Sequence, residues 1–363
     1  MVVLDSPDLK NDYSLRPGLI KKSKLAPAHE APYITLGNNM PKGHIDVHHH
    51  FFPTELAKIK EINFAEIGFQ SPKENFPWTP EVSLKFMDQT GIDTAILSLP
   101  ALGSGTVSEK NRALARERNM QMARFRDERP TRFGFFATMP FLQDVQGALI
   151  EIKYALDVLQ ADGVAISSSY GEGSEAKYIG DKLYEPFWAE LHSRKAVVFL
   201  HGNQTPSSTP YPDPTLGLPI VEVPNETFKA ASHLVVTGTK RKYPDIKIIL
   251  SHMGGSTPFL SVRVARLSHY MGCPLSPEEI LEDFKSFYFD TALSAHETTL
   301  TAIQSFITPD HLLFGTDFPA VHREITSWYT KHLEDFFADN KDKYEDIAYR
   351  NALRLFPRLR TQD

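Results

Sequence analysis

Histidines cluster at the end of the first apolar run of the chain, in the stretch 46–50, which reads DVHHH. Because successive side chains of a β-strand point to opposite faces, His48 and His50 are expected on one face and His49 on the other. Two imidazoles on one face at the end of a strand can chelate a divalent metal. A histidine-rich strand end can also be plain polar surface, so this stretch alone does not decide between the two interpretations.

Three later apolar runs also lead into a histidine or an aspartate. The run VVFLH ends at His201, the run IKIILSH ends at His252, and LLFG is followed by a threonine and then by Asp317. A single buried histidine is often only structural. Here four strand ends each carry a side chain that can bind a metal or transfer a proton. This pattern favours one shared site.

The residue types fit a mononuclear metal site, which needs three or four nitrogen or oxygen ligands and an open position for water or substrate. We predict that the ligands are His48, His50, His201 and Asp317. His252 is then free to act as a general acid or base, because the unperturbed pKa of imidazole lies near neutrality. The fourth apolar run ends in Ser167-Ser168-Ser169-Tyr170, without the lysine that binuclear sites of this type often use. A single metal is therefore favoured.

Other residues near these positions are candidates for supporting roles. Asp290 ends the seventh apolar run, FYFD, and is expected to orient a ligating histidine from behind. Phe52, Trp78 and Phe318 lie within a few residues of a predicted ligand or in a long loop, so they are candidate walls for a substrate. Core packing is the alternative interpretation for each of these aromatic side chains.

The predicted ligands need a scaffold that brings strand ends together, and the chain alternates short apolar runs with segments of helical periodicity. The runs lie at 44–48, 94–99, 133–137, 163–167, 197–201, 246–252, 287–290 and 312–315. Near-continuous apolar strands separated by helices indicate a parallel sheet that is covered on both faces. Eight such units predict an α/β fold of the (β/α)8 TIM barrel type. A doubly wound open sheet is the alternative, but no glycine-rich phosphate-binding sequence follows any run.

Three stretches interrupt the alternation. Residues 1–42 hold five prolines and no long periodic apolar run, so we predict an extended N-terminal arm, or alternatively a floppy tail, before a barrel at 43–363. The stretches 53–80 and 205–224 are predicted to be long loops at the catalytic face, and the second contains six prolines.

Composition excludes several classes of protein. The chain of 363 residues has a net charge of −6, which argues against a nucleic-acid binder. Its one cysteine, Cys273, cannot form an internal disulfide, and the sequence lacks the run of about 18 apolar residues that a membrane span requires. The N-terminus has neither the basic nor the apolar part of a secretory signal. We therefore expect a cytoplasmic protein with a small-molecule substrate and no membrane partner.

Four stretches together resemble a known family. The strings IDVHHHFFP, VVFLH, YPDIKIILSHMGG and LLFGTDFP are similar to the amidohydrolase-2 group of the amidohydrolase superfamily, and the resemblance runs from about residue 43 to about residue 357. This group includes the aminocarboxymuconate semialdehyde decarboxylase type and the aromatic acid decarboxylases. The resemblance implies a distorted barrel with one divalent metal, often zinc or manganese. His48, His50, His201 and Asp317 match the family's ligand positions, and His252 matches its catalytic histidine.

The resemblance also implies a role for Arg263, which lies eleven residues after His252. It matches an arginine that crosses a dimer interface to grip a substrate carboxylate, so we expect a homodimer or an assembly of dimers. An exposed helix arginine is the alternative. The His48-x-His50 pattern is closer to the branch that holds the semialdehyde decarboxylase and the 6-methylsalicylate decarboxylases than to the phenolic acid decarboxylases with glutamate at the first position. Around Trp78 the sequence KENFPW lacks the second arginine of the semialdehyde enzyme, so an aromatic monocarboxylate fits better than a dicarboxylate.

Three functions are compatible with these residues. The first is a non-oxidative decarboxylase of a hydroxy-substituted aromatic acid, with His252 or Asp317 delivering a proton to the ring carbon. The second is a hydrolase of a lactone or amide, in which metal-bound water attacks a carbonyl group and His252 acts as the base. The third is a catalytically inactive barrel that still binds metal. We predict the first, with zinc as the expected metal and manganese as the second choice.

Overall fold

The computed structural model describes residues 43–56, 68–203, 213 and 215–360. The predicted N-terminal arm, 1–42, lies outside the described residues. So do residues 57–67, 205–212 and 214 of the two predicted long loops.

Eight parallel strands form one sheet, in the order in which they occur along the chain. They are β1 (His44–His50), β2 (Ile92–Ser98), β3 (Phe133–Thr138), β4 (Gly163–Ser167), β5 (Val197–His201), β6 (Lys247–Leu250), β7 (Tyr288–Asp290) and β8 (Leu312–Leu313). Each begins within about two residues of a predicted apolar run. A short antiparallel pair, Ser169–Tyr170 with Lys177–Tyr178, follows β4.

The chain after β8 closes the sheet onto β1. Val47 donates its backbone N–H to the carbonyl oxygen of Phe314 at 3.0 Å, and Asp317 donates to the carbonyl of His48 at 2.8 Å. His50 then donates to the carbonyl of Phe318 at 2.7 Å. These bonds make the sheet a nearly closed barrel, because they satisfy the free edge of β1 along its length. The prediction of a distorted (β/α)8 barrel is confirmed.

Helices follow the strands and cover the outside of the barrel. They are α1 (Pro80–Thr90), α2 (Glu109–Glu128), α3 (Val145–Lys153), α4 (Glu185–Ser193), α5 (Leu218–Val236), α6 (Thr239–Lys242), α7 (Thr257–Tyr270), α8 (Pro277–Lys285), α9 (Glu297–Phe306), α10 (Arg323–Phe336), α11 (Lys341–Glu345) and α12 (Asn351–Leu355). Local chemistry sets many of their ends. Thr79 caps α1 by accepting the N–H of Val82, and Gly91 ends the helix in the left-handed conformation.

Helix α5 corrects one prediction from the sequence. The stretch 205–224 was expected to be a loop because it is rich in proline, but α5 begins at Leu218. Pro219 lies in the first turn, where a missing N–H costs nothing, and Pro224 lies inside the helix. Proline therefore marks the end of the loop and the start of a helix here.

Strand β1 contains an irregularity that matters for the site. Asp46 pairs with Ala95 and His49 pairs with Leu97, so Val47 and His48 together stand opposite Ile96. This bulge of two residues against one shifts the alternation of side chains. Ile45 and Val47 join the apolar interior of the barrel, and after the bulge His48 and His50 face inward while His49 faces outward.

Two apolar clusters stabilise the barrel. The larger one lies between the sheet and the surrounding helices, and the smaller one fills the barrel interior with side chains such as Phe136 and Phe199. The C-terminal segment contributes Ala352, Leu353 and Phe356 to the interior cluster. Among the described helices, none has the combination of length and apolar character needed to cross a lipid bilayer.

Candidate metal centre and active site

Four side chains from three parts of the barrel converge at the carboxyl ends of the strands. His48 and His50 come from β1, His201 ends β5, and Asp317 follows β8. One nitrogen or oxygen atom from each lies within 4.8 Å of the others, and all four residues are buried. The ligand atoms around one zinc ion lie about 2.0–2.2 Å from it, so this spacing leaves room for one ion.

His48, His50 and His201 each form a hydrogen bond through Nδ1 to another group of the protein. The partners are the carboxylate of Asp290 for His48 at 2.9 Å, the hydroxyl of Ser98 for His50 at 3.1 Å, and the carbonyl of Gly202 for His201 at 2.8 Å. A carboxylate or carbonyl oxygen only accepts, so His48 and His201 carry their protons on Nδ1. Their Nε2 atoms point into the cluster.

The Nε2 atoms of the cluster lie close to one another and to a carboxylate. Those of His48 and His50 are 3.1 Å apart, and the Asp317 Oδ1 atom lies 3.3 Å from the first and 3.1 Å from the second. The Nε2 atom of His201 is buried and has no hydrogen-bond partner among the described residues. Imidazole nitrogens and a carboxylate that converge in this way need a positive charge among them, supplied either by a proton on His48 or by a metal ion. The donor set therefore fits a divalent metal.

Burial and mutual repulsion set the ionisation of the cluster. Burial, together with the neighbouring histidines, holds the pKa of His201 well below its usual range, and burial also lowers the pKa of His50. Burial opposes the charge on Asp317, but His48 and His50 outweigh it and hold the pKa of that carboxyl well below its usual range. Burial likewise opposes the charged form of His48, yet Asp290 and Asp317 raise its pKa to about 10. The cluster is thus a place where a positive charge is stabilised.

His252 lies beside the cluster but outside the set of four. Its ring centroid is 4.8 Å from that of His48 and 5.2 Å from that of His201. Its Nδ1 atom lies 3.2 Å from the carbonyl of Ala292, and burial lowers its pKa. The backbone of His252 has a φ of 53°, and that of Asp317 has a φ of 63°. Non-glycine residues adopt this conformation only at a cost of about 1–3 kcal/mol, and such residues concentrate at functional sites.

Asp290 connects these parts. One carboxylate oxygen accepts from His48, and the other accepts the backbone N–H groups of His252 and Ala292, both at 3.0 Å. The carboxylate is fully buried at the end of β7. The predicted contact between Asp290 and a histidine is present, and the same carboxylate also fixes the turn that carries His252.

Comparison with known proteins agrees with this geometry. The amidohydrolase family model matches residues 45–358. The chain belongs to the amidohydrolase family. It is 41% identical over 335 residues to the decarboxylase macB of Penicillium terrestre, covering 88% of this chain and 96% of that one. It is 40% identical over 325 residues to the 6-methylsalicylic acid decarboxylase acuB of Aspergillus aculeatus, covering 87% and 96%.

A solved structure of similar fold is the dihydroxybenzoic acid decarboxylase from Polaromonas sp. JS666, with bound manganese and the inhibitor 2-nitroresorcinol. It superposes with a TM-score of 0.74 at 25% identity, over 87% of this chain and 97% of that one. The resemblance inferred from the sequence motifs is therefore confirmed at the level of the family.

The cluster of this amidohydrolase opens into a cavity of about 270 Å³. His50, His201, His252 and Asp317 line its floor, and of the predicted aromatic walls Phe52 lines it too. Most of the wall was not predicted. It comes from Ile220 and Val223 of α5, from Leu293 and Ser294 after β7, and from Ile325 and Tyr329 of α10. The helical spacing of Ile220 and Val223 was the available signal, but it lay in a stretch that was expected to be a loop.

Two predicted substrate contacts are corrected by the structure. Trp78 does not line this cavity; it is buried beside Phe51 and Phe125, with ring centroids 5.0 and 5.8 Å away. Phe318 is fully buried on the outer side of β1, where it stacks on Phe86 at 4.2 Å. Both residues were chosen because they lie near a proposed metal-binding residue in the sequence or in a long loop, which does not determine where their side chains point. Both are core residues.

Arg263 lies on the exposed face of α7 and does not line the cavity of its own chain. Apolar side chains surround it on the same helix, and Phe259, Val262 and Tyr270 are 57%, 55% and 82% exposed. A smaller cavity of about 160 Å³ is lined by both Phe259 and His252. The exposed face of α7 therefore adjoins the site.

Proposed function

We propose that this amidohydrolase is a metal-dependent, non-oxidative decarboxylase of a hydroxy-substituted aromatic carboxylic acid of the salicylate type, such as 6-methylsalicylate. The observation that carries the proposal is that a relative with 40% identity over 87% of this chain is a 6-methylsalicylic acid decarboxylase. The cavity over His48, His50, His201 and Asp317 also supports the proposal.

The cavity suits one aromatic ring with a single acidic group. Its walls include the apolar side chains of Phe52, Ile220 and Val223. Among the described lining residues there is no lysine or arginine, so this part of the chain offers a substrate carboxylate no cationic side chain. A carboxylate buried there needs a positive partner, and the place for it is between His48, His50, His201 and Asp317.

A divalent ion held by these four residues would supply the positive charge that binds the substrate carboxylate and the adjacent hydroxyl group and so fixes the ring. We propose one ion per chain, with zinc as the first choice. Manganese is the second choice, and it is the ion bound in the Polaromonas relative. The three Nδ1 contacts hold the imidazoles in place before the ion arrives.

Decarboxylation consumes one proton, which must reach the ring carbon as the bond to the carboxyl carbon breaks. Two groups that line the cavity can carry it, His252 and Asp317. Neither is presented as a free acid, because the Nδ1 atom of His252 faces a carbonyl group and Asp317 lies against two histidines. One of these two groups would take the proton from the substrate's hydroxyl group and pass it to the ring carbon, and the phenolate that remains would regain a proton from water as the phenol leaves.

The test is to incubate metal-loaded protein with salicylate-type acids and to identify the products. Release of carbon dioxide together with the matching phenol is expected, and His252→Ala is expected to lower the rate of both about 100- to 10,000-fold. Ring opening of a lactone or cleavage of an amide, without carbon dioxide from any acid, would instead support a hydrolase. No turnover by a protein that holds its metal would support an inactive barrel.

We also propose a homodimer in which the exposed face of α7 packs against the partner subunit. Exposed apolar side chains grouped on one helix face are candidates for an interface. Arg263 stands within it and would reach the partner's site through the region where Phe259 and His252 adjoin. The planar guanidinium can grip a carboxylate by two hydrogen bonds.

Mixed subunits test this arrangement. Arg263→Ala and His252→Ala are each expected to be inactive alone, and activity should partly return when their subunits exchange. Arg266→Ala removes a neighbouring exposed arginine whose ion pair with Glu278 spans 3.6 Å, and it should keep activity. No recovery despite measured subunit exchange would exclude a role for Arg263 in the partner's site.

A further inference from the structure

The cavity over the candidate metal centre has more room than one aromatic ring needs. Its volume is about 270 Å³, whereas a cavity of about 150 Å³ is enough to bind benzene. The carboxylate and hydroxyl groups of a salicylate-type acid account for part of the difference. Since most of the side chains along the wall are apolar, the rest of the space suits a further apolar group on the ring.

Two helices carry the wall of this cavity from its buried floor to the surface. Ile220 and Val223 are three residues apart on α5, and Ile325 and Tyr329 are four residues apart on α10, so each pair lies on one face of its helix. Val223 is 1% exposed, but Ile220 is 46% and Ile325 is 44% exposed. Among the described lining residues these two isoleucines alone are exposed, so they mark the mouth of the cavity.

The chemistry of the mouth differs from that of the floor. Single exposed apolar side chains are common and need no explanation, but Ile220 and Ile325 line the same cavity from different helices. Of the described lining residues the one carboxylate is that of Asp317, which lies at the floor with the histidines, and there is no lysine or arginine. A charged substituent would therefore find no charged partner at the mouth. An apolar substituent would cover two side chains that water otherwise contacts, which is favourable.

We propose that the substrate ring carries an apolar chain longer than a methyl group, and that this chain contacts Ile220 and Ile325 at the mouth of the cavity. The inference rests on the proposed function and narrows its substrate class to alkyl-substituted hydroxyaromatic acids. The single acidic group stays at the floor, and the chain runs outward past Val223. The chain supplies affinity in proportion to the apolar area that it covers.

Calorimetry with a series of probes tests this inference without turnover. The probes are salicylate and salicylates with linear chains, from methyl to hexyl, at ring position 4, 5 or 6, each titrated into metal-loaded protein. For at least one ring position, every added methylene should tighten binding about 2- to 4-fold until the chain passes the mouth, and further carbons should then add little. Equal affinity for methyl, propyl and hexyl chains at every position would overturn the inference.

Three serine variants locate the contact. Ile220→Ser and Ile325→Ser, on different helices, should each reduce the gain per methylene and leave the binding of unsubstituted salicylate unchanged. Val221→Ser is the matched control, because Val221 neighbours Ile220 on α5 and is 44% exposed but does not line the cavity. It should keep the full gain. If all three variants behave alike, the chain does not contact the two isoleucines and the inference is wrong.

Release of carbon dioxide from the same probes separates this inference from the proposed function. A gain that depends on Ile220 and Ile325, without carbon dioxide from any acid, would overturn the proposed decarboxylation and leave the apolar mouth in place. Carbon dioxide from the acids without any dependence of binding on chain length would overturn the inference and leave the decarboxylation in place.

Discussion

The inner and outer faces of β1 carry the same residue type and differ in what the ring nitrogens contact. His49, on the outer face, uses both nitrogens, with Asp46 at 2.9 Å and Ser83 of α1 at 2.6 Å. His48 and His50, on the inner face, use Nδ1 for a protein partner and direct Nε2 toward each other and toward Asp317. All three residues are buried, so burial does not distinguish a structural histidine from a ligand.

What distinguishes the two faces is what the second nitrogen contacts: a single hydroxyl group on the outer face, and other proposed metal ligands on the inner face. A buried polar group without a partner is costly, and a fold keeps such a group where something else will bind it. His201 makes the same point from another strand, since its Nε2 atom is buried and has no hydrogen-bond partner among the described residues. The comparison therefore predicts different consequences for changes on the two faces.

The largest effect is expected from His201→Ala or Asp317→Ala, because each removes a proposed ligand on the inner face. Metal content should fall from about one ion per chain to near zero, with complete loss of activity, and elemental analysis of protein purified without chelators measures this. His322→Ala, which changes an exposed histidine paired with Glu74 at 2.7 Å, is the control and should keep its metal. About two ions per chain in the unaltered protein would contradict the mononuclear site.

His252→Ala should separate chemistry from metal binding. The residue lies beside the cluster and outside its four ligand atoms, so the metal content should stay at that of the unaltered protein. Removing an acid or base group commonly lowers the rate about 100- to 10,000-fold. Measuring kcat and metal content on the same preparation distinguishes a role in proton transfer from a role as a metal ligand. If the variant lost its metal as completely as His201→Ala, His252 would be a ligand and the division of roles would be wrong.

Asp290→Asn should have an intermediate effect, because Asp290 supports the inner face from behind. The amide keeps the size of the side chain but weakens the partner of the His48 Nδ1 atom. Changes at such supporting groups typically cost about 10- to 100-fold in metal affinity. Ser98→Ala is the matched comparison, since a neutral hydroxyl contacts His50 at 3.1 Å, and its loss should cost less. A competition titration with a chelator measures both, and equal affinities would contradict the role of Asp290.

The fold and the cluster could be predicted because each depends on a pattern that is local in sequence. Eight apolar runs separated by helical segments indicate the barrel, and a polar side chain at a strand end indicates the catalytic face. The separation of His49 from His48 and His50 was correctly expected. The bulge at Val47 and His48 was not expected, although it is what lets Val47 fill the core next to an inward-facing histidine.

The residues that form the cavity walls could not be predicted, because this depends on the direction in which each side chain points and on contacts between residues distant in sequence. Trp78 and Phe318 lie near ligands in the sequence, but their rings pack away from the cavity. For Phe318 the reason is the left-handed backbone at Asp317, which turns the carboxylate inward and leaves the next side chain on the outer face with His49.

The smallest effect on the metal site is expected from His49→Ala, although it removes a buried histidine one residue from two proposed ligands. The change leaves Ser83 and one oxygen of Asp46 with fewer partners, which should lower the free energy of unfolding by about 1–3 kcal/mol. Metal content and kcat should match those of the unaltered protein. The glutamine of His49→Gln can still reach Ser83, so this variant should lose less stability. His49→Ala and Ser83→Ala remove the same hydrogen bond, so the double variant should lose less stability than the sum of the losses in the two single variants. Loss of metal in His49→Ala, with unfolding unchanged, would mean that the two faces of β1 are not separate in function.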